Sequence, residues 1–583
     1  MPRTPTMHWS HPLLLLAFLS APSKAIIVSR PLQQYDFIVV GGGTGGNVVA
    51  NRLTENPNVS VLVIEAGGLP DGNLNISIPF FCTRAAPHTS VDWNYTTISQ
   101  PSLGNRSLAY PRGFVLGGSS SINYMVYTRG SREDYDRYAR ISGDEGWSWN
   151  KMLPYFRKNE RFGPPSDHHS TVGQIDPAVH SFDGVNSVTV YGFPQATDKR
   201  IIDTTKQLPE FPFNLDYNSG SPLGIGRSSS ATSYLGPQFM KRPNLHVLLN
   251  TEVSRVLSSG QRKNGVPLLD TVQYTSFGTL RTVKSKREII LSAGAVNTPR
   301  ILLHSGIGDS KDLSALGIKT ILHNPSVGRN LSDHPIVSNQ WTVNSTDTLE
   351  SFTSNATAAA EDLALWQTTR TGPLSDGTAN NIGWLRLASN ASIFEHQSDP
   401  AAGPKTPHFE LLFSNGLTRP PFPTSGNFLS ISTVMLTPTS RGSITINSTN
   451  PFSAPIIDLG FLSTPFDIFA MREGIKAARR FVLAPAWDNY IISRLSNATT
   501  DSEIETFARA SASTLFHPVG TAAMSPRHAA YGVVDPDLTV KGLAGLRIVD
   551  ASVLPLVPAA HTQVAVYVFA ERASDLIKAQ WHL

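Results

Sequence analysis

The sequence predicts an α/β protein, α+β overall, in which a parallel sheet is assembled from segments far apart in the chain. Three observations lead there. The stretch "YDFIVVGGGTGGNVVANRLTENPNVSVLVIEAGG" (35–68) runs apolar over 37–40 and turns on Gly41, Gly43 and Gly46. It then follows a helical pattern to Leu53 and runs apolar again over 59–64 to Glu65. Short apolar runs return in "NLHVLLNTEVSRVL" (244–257), "KREIILSAG" (286–294) and "LRIVDASVLP" (546–555), so a sheet begun near residue 35 is completed by distant segments. At 583 residues the chain also exceeds the usual size of one hydrophobic core, and more than one domain is expected.

The first element, residues 1–25, has Arg3, a short apolar core over 13–19, and Ser23 and Ala25 in a small-x-small pattern. It reads as a secretory signal peptide, so the expected location is extracellular. No later stretch approaches about 20 apolar residues, and no membrane span is expected. Sequons at Asn75, Asn94, Asn105, Asn344, Asn355, Asn390, Asn447 and Asn497 agree with secretion, whereas those at Asn58 and Asn330 fall in segments expected to be folded inside. Cys82 is the only cysteine, which excludes an internal disulfide and a cysteine-based metal site; no metal is expected. The formal charge of +4 falls to +2 once Arg3 and Lys24 are removed. With no basic cluster, nucleic acid is not an expected partner.

The 35–68 element reads as a dinucleotide-binding unit. Gly41 and Gly43 permit a tight turn and close approach of backbone to a pyrophosphate, Gly46 lets the helix pack closely, and the helix N-terminus faces the phosphates. Glu65, 19 residues after Gly46, stands where a carboxylate can accept the hydroxyl hydrogens of an adenosine ribose. The unit alone does not separate FAD from NAD. Farther on, stretches such as "DIFAMREGIKAARRFVL" (467–483) are helix-like among proline-rich loops, and no internal repeat is present.

Four further stretches decide the cofactor: "GFVLGGSSSINYMVYTRG" (113–130), "GAVNTPRILLHSGIG" (294–308), "NPSVGRNLSDHP" (324–335) and "GLRIVDASVLPLVPAAHTQ" (545–563). From about Tyr35 onward the chain resembles the glucose–methanol–choline (GMC) oxidoreductases, a family of FAD enzymes, with one departure at Phe114. The resemblance implies a Rossmann-like FAD-binding domain built from residues 35–80, 226–335 and 512–583. It also implies a substrate-binding domain with a large antiparallel sheet, from residues 81–225 and 336–511, in which 113–130 touches the flavin. It assigns Gly117, Gly118, Asn123 and Met125 to the segment along the flavin, Val253 to the adenine, and Asp550, Ala551, Thr562 and Gln563 to the later cofactor turns. Taken alone, Gly117–Gly118 would read as a loop and Asp550 as a helix N-cap.

By the same resemblance, His517 in "FHPVG" and His561 in "AAHTQ" are the catalytic pair. Oxidising an alcohol requires loss of the hydroxyl proton and of a hydride from the same carbon to flavin N5, so a base must lie within hydrogen-bond reach. His517 is assigned as that base and His561 as the group orienting the substrate oxygen.

Within the family the local match is similar to fungal aryl-alcohol oxidases and, next, to pyranose dehydrogenases. Where the latter attach FAD through a histidine, this chain has Ile122, so noncovalent FAD is expected. Tyr124 and Phe516 match aromatic residues that flank the alcohol, whereas Leu417, Thr418 and Arg419 replace an aromatic gate. The expected function is oxidation of a primary, aryl or benzylic alcohol to the aldehyde with O2 reduced to H2O2. A pyranose dehydrogenase with a quinone acceptor is the alternative, and an FAD-containing hydroxynitrile lyase a third reading.

Overall fold

The computed structural model describes residues 26–231, 241–276, 278–420 and 422–583; the signal-peptide reading of 1–25 lies outside them. The strand Gln34–Val40 is buried along its C-terminal half on both faces, as its unbroken apolar run requires. It lies in a parallel array ordered Ile26–Ile27, Leu245–Leu248, Val61–Ile64, Gln34–Val40, Thr279–Leu291. The long strand Thr279–Leu291 branches. Its last residues pair parallel with Leu546–Ile548 (Ile289 opposite Leu546), while its first half pairs antiparallel with Val266–Ser276, which pairs in turn with Glu252–Lys263. The distant apolar runs therefore do meet in one sheet.

The helix Thr44–Leu53 crosses over from Gln34–Val40 to Val61–Ile64 and is sandwiched under the C-terminal helix Thr562–Trp581. A buried ion pair between Arg52 and Glu571, with N–O distances of 2.7–3.0 Å, ties the two helices together. Each aliphatic side chain buried there contributes about 1.5–3 kcal/mol.

The second sheet is antiparallel throughout. Its order is Ile491–Arg494, Pro335–Val343, Phe428–Met435, Phe409–Ser414, Asn381–Leu385, Gly224–Arg227. The helix Pro465–Phe481 lies against this sheet. Thr464 caps it by accepting from the Asp467 N–H, Pro465 starts it, and Arg479 and Arg480 complement its C-terminal dipole. A Cβ on Gly474 would come within 2.5 Å of Thr433 Cγ2, so glycine sets how closely helix and sheet pack.

Some segments cross the expected division. Gly224–Arg227 spans the 225/226 boundary, Ser513–Thr514 pairs with Pro335–Val343 of the antiparallel sheet, and apolar residues from 127 to 190 share the core of the parallel sheet. The expectation for Asn58 is corrected: it sits in the turn before Val61–Ile64 and is exposed. Asn330 is half-buried, donating to the Pro555 carbonyl at 2.9 Å and accepting from Arg441 Nε at 3.0 Å. No helix among the described residues is long and apolar enough to cross a membrane.

Beside the first core, Arg129, Glu160, His180 and Asp216 form a buried charge network in which His180 Nδ1 meets Glu160 and Nε2 meets Asp216 at 2.7 Å. Burial would lower the His180 pKa, but the hydrogen bonds to Asp216 and Glu160 outweigh it and hold the pKa up at about 9. The folded state thus binds this proton more tightly than the unfolded chain. The stabilisation is complete below pH 6.5 and is lost as pH rises through about 9. Urea unfolding of the wild type and His180→Gln should show a gap in midpoint that narrows across that window; a gap independent of pH would remove His180 from the balance.

Candidate active site

A cavity of about 840 Å³ runs between the two sheets, within the usual range for small-molecule sites, about 300–1,000 Å³. One end is made by the glycine turn. Gly41, with φ of 99°, could not carry a side chain, because a Cβ would stand 2.5 Å from the Ser292 carbonyl oxygen. Gly43 is the N-cap of Thr44–Leu53 and faces the cavity. Gly46 and Gly117 lie behind the wall: a Cβ on Gly46 would meet the Gly41 carbonyl at 2.0 Å, and the Gly117 N–H donates to the Gly42 carbonyl at 2.7 Å. Gly118, Asn123, Tyr124, Met125, Val253, Ala551, Thr562 and Gln563 all line the cavity. Asn123 is fixed from both sides. Its Nδ2 donates to Gln563 Oε1 at 3.0 Å and its Oδ1 accepts from the Met125 N–H at 2.9 Å, which supports the left-handed backbone of Met125 (φ 62°).

Two carboxylates do more than the sequence reading gave them. Glu65 lines the cavity, but Oε2 already accepts the Gly42 N–H at 2.8 Å and Oε1 the Gly67 N–H at 2.9 Å, so it also braces the turn. Burial raises its pKa to about 7 against those donors. Asp550 likewise faces the cavity while Oδ2 accepts from the Gly294 N–H and Thr298 Oγ1 and Oδ1 from the Ser552 N–H, making it both a cap and a clamp between segments.

At the other end His517 and His561 face each other with ring centroids 4.9 Å apart and planes at 72°. His561 ends the turn before Thr562–Trp581, its N–H donating to Thr128 Oγ1 at 2.8 Å. Its Nε2 lies 3.0 Å from Oε1 of Glu410, a fully buried residue on Phe409–Ser414. That leaves the Nδ1 edge of His561 for a ligand. Nδ1 of His517 lies 3.1 Å from Nδ1 of His334, which leaves Nε2 for a ligand. Burial, then His561, His334 and Arg112, hold the His517 pKa well below 6.5; burial and His561 lower that of His334 to about 3.

The backbones of both inner histidines hang on Asp333. Oδ1 accepts the N–H groups of His334 and His517, and Oδ2 accepts Tyr110 OH and Thr514 Oγ1, each at 2.7 Å. Phe516 has φ of 64°, a conformation uncommon for a bulky residue. It is held by its N–H on Thr514 Oγ1 at 2.7 Å and by Arg112 on its carbonyl at 2.8 Å. Its ring, like that of Tyr124, lines the cavity, as do Leu417, Thr418 and Arg419.

The sequence reading missed Glu410, Asp333 and His334. The last two lie in the quoted "NPSVGRNLSDHP" without a role assigned to them; a lone glutamate in the apolar run "HFELLF" was the available signal for the first.

The residues present fit FAD. The glycine turn and helix N-terminus suit a pyrophosphate, Glu65 and Val253 stand beside the turn, and Asn123, Met125, Thr562 and Gln563 continue the same wall to the histidines.

The N-terminal GMC oxidoreductase profile matches residues 35–336 and the C-terminal one residues 438–570. The chain is 42% identical to the dehydrogenase eriK of Hericium erinaceus, covering 94% of this chain and 95% of that one. It is also 42% identical to pyranose dehydrogenase 3 of Leucoagaricus meleagris, covering 93% and 92%. Among solved structures, formate oxidase of Aspergillus oryzae RIB40 superposes with a TM-score of 0.85 at 28% identity (94% and 98% covered). A fungal aryl-alcohol oxidase does so with 0.78 at 26% identity (95% and 100% covered). With both halves matched and the paired histidines facing one cavity, the chain belongs to the GMC oxidoreductase family of FAD-dependent enzymes acting on CH–OH donors.

Proposed function

We propose that the chain oxidises a primary benzylic or conjugated alcohol to the aldehyde, with oxygen as the final acceptor and H2O2 as its product. The observation that carries this reading is the facing pair His517 and His561 at a cavity end walled by Tyr124 and Phe516. FAD, when bound, supplies the acceptor for the hydride. His517 Nε2 takes the hydroxyl proton, His561 orients the oxygen, and the carbinol carbon loses hydride as C–O becomes C=O. A neutral, buried imidazole suits the first role, because a protonated one could not accept. Aromatic substrates would gain about 0.5–1.5 kcal/mol per ring contact beyond area burial.

A second reading, a pyranose dehydrogenase with a quinone acceptor, is favoured by the names of relatives at 40–42% identity and by the polar Thr418 and Arg419 on the cavity wall. The deciding experiment is kcat/KM for a methoxybenzyl alcohol against glucose, each with oxygen and with benzoquinone. A clear preference for glucose overturns the first reading, while benzylic oxidation supported only by benzoquinone keeps the substrate and makes the enzyme a dehydrogenase. Failure of every alcohol to reduce the flavin would favour the lyase.

In the same reading FAD is held without a covalent bond. Ile122 lines the cavity, packs with Ala85 and Val115, and offers no nucleophile. Denatured protein should release intact FAD into the supernatant; yellow colour retained on the polypeptide would refute this. The proposal includes secretion, with Asn94, Asn105, Asn344, Asn355, Asn390, Asn447 and Asn497 exposed for glycosylation.

A further inference from the structure

Arg419, half-buried on the cavity wall, lacks the partner that the buried arginines of the cores have. Arg52, Arg129, Arg300 and Arg547 each carry a carboxylate partner: Glu571, Glu160, Glu252 and Glu288. Among the described residues no carboxylate pairs with Arg419. Its one hydrogen bond from the guanidinium is a long one, Nη2 to the Thr514 carbonyl at 3.4 Å, and its guanidinium carbon lies 5.9 Å from the centre of the Phe516 ring. The backbone there is anchored, because the Arg419 carbonyl accepts from Gln340 Nε2 at 2.8 Å. The side chain lines the cavity, and the bond from Nη2 to the Thr514 carbonyl leaves further donors on the guanidinium for a ligand. A half-buried guanidinium with no counter-charge has lost part of its hydration, and a ligand that supplies the charge offsets that loss on binding.

We infer that Arg419 is a carboxylate-binding subsite, so that the alcohol is itself an acid: a hydroxymethyl-aryl or conjugated hydroxy carboxylate whose carbinol lies at His517 and His561 and whose carboxylate lies on Arg419. The aromatic ring of Phe516 is the element the two sites share, since it adjoins His517 in the chain and lies under the guanidinium. A flat spacer beside that ring would join the two ends of such a substrate. The planar fork of arginine matches a planar carboxylate in two parallel hydrogen bonds. This inference rests on the alcohol-oxidation reading for the carbinol end but not for the carboxylate end, and the two can be tested apart.

The carboxylate end is read with probes that cannot be oxidised. Holoenzyme is titrated with benzoate and with benzamide, following the flavin spectrum. Benzoate should bind at least about tenfold more tightly, the effect expected for hydrogen bonds to a charged group, and Arg419→Gln should abolish the difference. Arg419→Lys, which keeps the charge without the fork, should restore part of it and controls for misfolding. The carbinol end is read by anaerobic flavin reduction with 4-(hydroxymethyl)benzoate against its methyl ester, with glucuronate against glucose alongside. The acid-to-ester ratio should exceed about ten in the wild type and collapse in Arg419→Gln. Equal binding of benzoate and benzamide, or a preference indifferent to residue 419, overturns the subsite. An Arg419-dependent preference for benzoate in an enzyme that no alcohol reduces sustains the subsite and overturns the alcohol reading instead.

Discussion

Replacing His517 by alanine is expected to slow flavin reduction by substrate by a factor of at least about 10² while FAD stays bound, the loss typical of removing a general base. The separation of effects follows from position. His517 stands at the end of the cavity far from the glycine turn, and its own backbone hangs on Asp333 rather than on any of the residues assigned to FAD. His561→Ala should also be severe, chiefly through lost orientation of the substrate oxygen, because Glu410 fixes that ring at 3.0 Å. The pH profile adds a second readout. Burial, with His561, His334 and Arg112 beside it, keeps His517 unprotonated to well below pH 6.5, so kcat/KM should show no acid limb from His517 near that value. Near-normal anaerobic reduction in His517→Ala would remove the residue from the mechanism.

The second large effect is expected at Asp333, which touches no substrate in this scheme. Its two oxygens receive four donors, two of them the backbone N–H groups of His334 and His517. Asn at this position has one acceptor oxygen, and its NH2 must face two of those donors. Losing two hydrogen bonds to a buried carboxylate, about 1.5–3 kcal/mol each, should lower stability by about 3–6 kcal/mol. Burial raises the pKa of Asp333, while Tyr110, Thr514, Arg112 and the His517 N–H pull it back. Denaturant unfolding of holoenzyme gives the stability change, and anaerobic reduction shows whether His517 has moved with its anchor. An Asp333→Asn protein that unfolds at the wild-type midpoint and reduces its flavin normally would show that the hub holds nothing.

How much of this was legible in the sequence depended on distance along the chain. The dinucleotide unit was, because strand, turn, helix and acid lie within 34 consecutive residues, 35–68. The histidine pair was legible through resemblance, and the structure adds that the rings face each other. Glu410 was not: it approaches His561 across 151 positions, and only the folded antiparallel sheet brings them together. His334 and Asp333 were read as parts of a motif, since nothing in "LSDHP" says that its carboxylate will turn to the backbone of residue 517. Glu65 and Asp550 were read as ligand groups or a cap, one role each. Both carry further roles because a buried carboxylate with two oxygens and several lone pairs must satisfy whatever N–H groups surround it.

The packing of Thr44–Leu53 beneath Thr562–Trp581 has a consequence for the order in which the molecule can be made. A ribosome delivers the helix Thr44–Leu53 early, yet the helix packed against it and the Glu571 that neutralises Arg52 arrive more than 500 residues later. Until then Thr44–Leu53 lacks the helix that packs against it, and Leu546–Ile548 has not joined Thr279–Leu291. At about 5–20 residues per second the nascent chain spends tens of seconds in that state, a period in which exposed apolar surface favours aggregation. Productive cofactor capture is therefore an event of the finished chain, and growth at lower temperature or with more chaperone should raise the yield of yellow protein more than added flavin does.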